Sequence, residues 1–147
     1  MVKRIAWTLA LVGTIGVITF AAVALAGFEE FTGKLEKGGT VSFRLTIPDE
    51  GEQQKVKRWE WNNMKIRCRN GKHRYDGRFK GLELPVDRTD RSFFARAENP
   101  YGGRAILRGS FDKTFSSATG TFRIRGRTSV GRRCRGERAW TAYGPPE

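Results

Sequence analysis

Hydrophobic and polar residues alternate along most of the chain. In residues 39–47, GTVSFRLTI, the side chains of Val41, Phe43, Leu45 and Ile47 fall on one parity, with Ser42, Arg44 and Thr46 on the other. This period of two predicts a strand with one buried face. A turn at Pro48-Asp49-Glu50-Gly51 ends it. The next stretch, KVKRWEWNNMKIRC over 55–68, changes parity: Trp59 and Trp61 share one face, but Met64, Ile66 and Cys68 share the other. One extra residue at Asn62-Asn63 would return all five to a common face, so a β-bulge is predicted there. Asn70-Gly71 is a hairpin signal.

Further along, Leu82, Leu84 and Val86 alternate up to a turn at Asp87-Arg88-Thr89-Asp90, and RSFFARA reads as another strand. A loop at Asn99-Pro100-Tyr101-Gly102-Gly103 precedes a hairpin formed by AILRGSFD and ATGTFRIRG around Lys113 to Ser117. Its inward positions are Ala105, Leu107, Gly109 and Phe111 on one arm, and Ala118, Gly120, Phe122 and Ile124 on the other, with Ile106 outward. Gly109 and Gly120 inside strand patterns point to bends or close backbone approach. A last strand is read over Arg138 to Tyr143, with Trp140 and Ala142 inward and Arg135 and Arg138 in solvent. About eight short antiparallel strands at this spacing predict an all-β domain, a small barrel or sandwich. No helical periodicity appears after residue 27.

The first 26 residues differ from the rest. Lys3 and Arg4 are followed by no charged residue until Glu29, and the stretch closes on Ala24-Leu25-Ala26 before Gly27. A basic start, an apolar middle and an A-x-A end describe a signal peptide. Residues 5–26 are also long enough to span a bilayer as a retained anchor, although Gly13, Gly16 and three threonines dilute them. Both readings give an N-terminal apolar segment, 1–26, and a single β domain, 27–147. In both the domain is exported, since positive charge stays inside. It is then secreted, or tethered to the outer face of the cytoplasmic membrane by residues 5–26.

Export changes how the two cysteines read. Cys68 and Cys134 are the only ones, they are far apart, and no histidine cluster accompanies them. In an oxidising compartment such a pair forms a disulfide rather than a metal or redox site. The alternative is two separate buried thiols. Closing so long a loop is worth roughly 4 kcal/mol in the chain-entropy account.

The pattern resembles that of small exported β domains of bacteria, a group with no assigned activity. The matching residues are Phe31-Thr32-Gly33 near the mature start, Cys68 with Gly71, and Pro85-Val86. Gly109-Ser110-Phe111, Gly120-Thr121-Phe122-Arg123, and Cys134 followed by Trp140-Thr141-Ala142 complete the set. The resemblance implies export, a disulfide and a β fold, and says nothing of function.

Charge adds the one functional hint. The formal net charge is +13 at pH 7. Residues 27–68 carry eight Lys and Arg against seven Asp and Glu, whereas 69–147 carry eighteen against eight, a net of +10. Arg123 and Arg125 alternate with Phe122 and Ile124 and share an outward face; Arg127, Arg132, Arg133 and Arg135 follow closely. Guanidinium groups grip phosphate or carboxylate bidentately, so these six make a candidate anion-binding patch. The bland alternative is a soluble basic surface. In the exported compartment the patch would meet anionic cell-surface polymers or phospholipid head groups. No zinc-finger, helix-turn-helix or RNP pattern marks a specific nucleic-acid reader.

Nothing reads as catalytic. His73 is the lone histidine, in a polar Asn-Gly-Lys-His-Arg turn, and no nucleophile elbow, HExxH or P-loop is present. Glu60, Asp76 and Glu83 stand out only as acids near aromatics. No cofactor or metal set is expected, with one histidine and an oxidised cysteine pair. Trp59, Trp61 and Trp140 are either core or the lining of a cavity. The expected function is a non-catalytic binding or structural domain of the cell envelope, held to anionic material by its basic half. The alternative is a β-barrel carrier of a small apolar ligand.

Overall fold

The computed structural model describes residues 27–146; the apolar segment 1–26 lies outside them. Nine strands follow one another: β1 Phe28–Leu35, β2 Thr40–Thr46, β3 Lys55–Cys68, β4 Gly71–Arg78, β5 Leu84–Pro85, β6 Ser92–Glu98, β7 Arg104–Phe111, β8 Ser117–Thr128 and β9 Gly131–Tyr143. They form one antiparallel sheet in the order β4-β3-β2-β1-β9-β8-β7-β6, with the two-residue β5 on β3. The sheet curls on itself and closes in part. Beyond the tip of the β1–β2 hairpin, β3 meets β9 directly at Arg67 and Arg135. At the other end β5 continues the closure toward β6, where the Val86 N–H donates to Gln54 O (2.9 Å) and the Asp87 N–H to Ser92 O (2.8 Å).

The predicted bulge in β3 is present. The β3–β4 register shifts between Trp61 and Met64, and Asn63 takes a left-handed φ of 55°. Trp59, Trp61, Met64, Ile66 and Cys68 are all buried as a result. A second irregularity, at Arg58 (φ 61°), lies where the β2–β3 register shifts, and it brings Val56 inward as well. In the β7–β8 hairpin Ala105, Leu107, Phe111, Ala118, Phe122 and Ile124 face the core as expected.

Three expectations need correction. The last strand begins at Gly131 rather than Arg138, so Cys134 lies within it. Its ladder with β8 runs on through Gly136, Arg135 and Cys134, a stretch in which glycine and arginine hide the alternation. Arg138 is only partly in solvent. It takes an inward, half-buried position and donates from Nη2 to Lys65 O on β3 (2.9 Å), bridging the β3–β9 seam. Of Leu82, Leu84 and Val86, only Leu84 belongs to a ladder, because β5 is two residues long.

The interior is filled by aromatic rings. Phe31 and Phe43 stack at 5.1 Å, Phe43 and Trp59 at 5.5 Å, and Trp59 meets Trp140 edge-on at 5.0 Å. Trp61 lies 4.7 Å from Phe122 and covers Gly77, where a Cβ would sit 2.7 Å from its Cη2. Gly109 is likewise covered by Phe93 and Trp140. Such ring pairs are worth about 0.5–1.5 kcal/mol each beyond their buried area. The indole N–H groups of Trp59, Trp61 and Trp140 have no acceptor. Each costs on the order of 1–3 kcal/mol, which the ring packing must offset.

A candidate anion-binding groove at the β3–β9 seam

Cys68 and Cys134 are joined by a disulfide. It locks the end of β3 against β9, and the Arg69 N–H adds a bond to Arg132 O (2.9 Å). Close approach here depends on Gly136: a Cβ at that position would sit 2.8 Å from Ile66 Cγ2 and 3.4 Å from Lys65 O. The covalent link and the missing side chain together bring two separate parts of the chain edge to edge.

Above this seam lies an open groove of about 810 Å³. β3 lines it with Lys65 and Arg67, β4 with Lys72 and Arg74, β8 with Arg123 and Arg125, and β9 with Arg135, Glu137 and Arg138; Lys37 reaches it from the β1–β2 tip. Among the described residues Glu137 is its only acid.

The sheet register orders these cations. Lys72 on β4 is directly opposite Arg67 on β3. Arg67 is opposite Arg135 on β9, Arg135 opposite Arg125 on β8, and Arg125 opposite Arg104 on β7. All five are exposed on the outer face. With neighbouring strands about 4.8 Å apart, this rung of five cations runs about 19 Å across the sheet. It ends in an acid, since Glu98 on β6 lies opposite Arg104 and pairs with it at 3.5 Å. Among the described residues no carboxylate lies within 4.0 Å of Lys72, Arg67, Arg135 or Arg125. In a second row Arg74 stands opposite Lys65, and Glu137 opposite Arg123.

Of the six arginines singled out from the sequence, Arg123, Arg125 and Arg135 line the groove. Arg127, Arg132 and Arg133 do not. There the β8–β9 register shifts, Arg127 stands against the pair Arg132 and Arg133, and Arg133 has a φ of 49°. Lys37, Lys65, Arg67, Lys72, Arg74 and Arg104 were missed, because they lie far from the arginine run in sequence. The disulfide was the available signal: pairing Cys68 with Cys134 places the neighbours of one beside the neighbours of the other.

The remaining groups of interest are dispersed. His73 lies in β4 rather than in a turn, and its Nε2 is 2.8 Å from Asn70 Oδ1. Glu83 pairs with Lys57 at 2.9 Å, a contact that holds its carboxyl below the usual range. Glu60 lies 3.6 Å from Arg58, and Asp76 accepts from the Asn63 N–H at 2.6 Å. Among the described residues no three or more His, Cys, Asp or Glu side chains gather as a metal site would require. Trp59, Trp61 and Trp140 are buried in the core, and none lines the groove.

Compared with known proteins, the chain matches no family model, no curated protein and no solved structure.

Proposed function

We propose that this chain is an exported, non-catalytic binding domain that attaches to anionic material of the cell envelope through the groove at the β3–β9 seam. The observation that carries the reading is the bare rung of Lys72, Arg67, Arg135 and Arg125, four neighbouring cations with no carboxylate among the described residues close enough to neutralise them. Arginine forks favour oxyanions, and water fills an open groove until such a group displaces it. Export rests on Lys3, Arg4 and the apolar run that follows, together with the disulfide, which is stable in an oxidising compartment.

The test is cosedimentation of the oxidised domain with isolated cell envelopes over a salt series. Binding that fades steeply as salt rises is the expected result. Binding that is absent at low salt, or indifferent to salt, would overturn the reading. Intact mass of the native protein checks export separately: loss of residues 1–26, or a full-length chain found in the membrane fraction, agrees with it, and a full-length cytosolic chain does not.

A further inference from the structure

Resting on that reading, we infer that the groove takes an extended linear polyanion, a polymer of closely spaced phosphates, laid across the strands along Lys72, Arg67, Arg135 and Arg125 and running on to Arg104 outside the groove. Four features set this ligand apart from other anions. A free phosphate would engage two neighbouring arginines and leave the rest of the rung bare. A flat bilayer presents its head groups in a plane, whereas Arg67 and Arg135 line a groove together with Lys37 and Arg74. A thread fits the length of the rung. Nucleic acid is disfavoured by the lining, in which His73 is the one aromatic ring among the described residues and no Phe, Tyr or Trp offers bases a stacking platform. The cations recur at the strand spacing of about 4.8 Å, wider than the separation of phosphates that share a bridging oxygen, so one extended chain presents an anion to every strand.

The direction follows from the register. The rung crosses β4, β3, β9, β8 and β7 at right angles to their axes and stops at Glu98, whose carboxylate already occupies Arg104. The polymer therefore covers the four unpaired cations and competes with Glu98 for the fifth.

The experiment measures binding of inorganic polyphosphate of graded length to the oxidised domain, with orthophosphate and phosphatidylglycerol vesicles alongside. Affinity is expected to rise with chain length until the rung is covered. The slope of log K against log salt should be about −3 for four to five neutralised cations, at about 0.7 per charge. The double variant Arg67→Gln with Arg135→Gln should lower that slope by about 1.4. Lys80→Gln with Lys113→Gln removes the same charge from exposed sites outside the groove and should leave the slope near its original value. Near-UV circular dichroism confirms that both variants fold. Equal losses from the two pairs would mean that net charge alone binds the polymer; the rung would be refuted and the broader envelope reading would stand. Vesicles bound more tightly than any polyphosphate, with Arg67 and Arg135 dispensable, would also overturn the inference. A wild-type domain that binds neither polyphosphate nor envelopes would end both proposals.

Discussion

Replacing Cys68 and Cys134 together by alanine tests the seam on which the groove depends. The two cysteines are separated by 66 positions. The chain-entropy relation for a loop of that size gives about 4 kcal/mol at 25 °C. Few other bonds hold β3 to β9: one register pair, the Arg69 N–H to Arg132 O bond and the Arg138 bridge to Lys65. Little therefore remains in the native state to compensate. An unfolding entropy of about 2.1 cal/mol/K per residue gives the described domain about 250 cal/mol/K, so 4 kcal/mol should lower the Tm by about 16 °C. Urea unfolding of the oxidised wild type and the double variant measures the difference directly, with the slope m reporting any change in the unfolded ensemble. Hydrogen exchange should show the largest loss of protection at Arg69. A loss below about 1 kcal/mol, with protection at Arg69 unchanged, would refute the reasoning. It would mean that the β3–β9 contact is held by packing and not by the bridge.

Other expectations follow from single contacts. Gly136→Val sets branched carbons against Ile66 and Lys65 and should cost about 1–3 kcal/mol by overpacking, read as a lower urea midpoint. Gly77→Val displaces the Trp61 ring that covers it; tryptophan fluorescence should shift to the red and near-UV dichroism should weaken. At the β7–β8 turn, burial pushes the Asp112 carboxyl up, but the Ser116 hydroxyl and N–H, the Ser117 N–H and the Thr114 hydroxyl outweigh it and hold it down at about 2. A depressed folded pKa stabilises above the unfolded value of 3.8, and the contribution disappears as pH falls from there to about 2. The Ser116 amide should therefore lose protection across that window, and Asp112→Ala should remove the pH dependence.

The parts of the fold legible in the sequence are those in which every inward slot carries an apolar side chain. β2, β3 and β6 are of this kind, and the β7–β8 hairpin comes close, with Gly109 and Gly120 among its inward positions. β1 reads poorly because Phe31 and Leu35 are its only buried residues; Gly33 stands between them, where a Cβ would lie 2.5 Å from Ala142 Cα on β9. In β4 the alternation fails for the same reason, since the slot at Gly77 is filled by the Trp61 ring from the next strand. A side chain supplied by a neighbour leaves no trace in the strand that receives it. Half of the arginine patch was legible from the alternation of Arg123 and Arg125 with Phe122 and Ile124. The other half depends on the β3–β9 pairing, a long-range contact, and on a register shift that turns Arg127, Arg132 and Arg133 away.

The rung has a cost that the fold alone does not explain. Like charges directly opposite on neighbouring strands destabilise a sheet, on the order of a few tenths of a kcal/mol per pair once solvent screens them. Acids are available elsewhere on this surface, at Glu83 beside Lys57 and Glu60 beside Arg58, yet within the groove only Glu137 is present. Arg135 is the central cation of the rung, with Arg67 and Arg125 on either side of it. Arg135→Gln should therefore raise stability by a few tenths of a kcal/mol at about 0.01 M salt, where the screening length is about 30 Å. The gain should vanish near 1 M, where that length is about 3 Å. The same variant should weaken polyphosphate binding. Stability and binding moving in opposite directions at one residue is what a site kept for a ligand requires. If Arg135→Gln destabilises the domain at every salt concentration, the arginine is there for packing, and the repulsion argument falls.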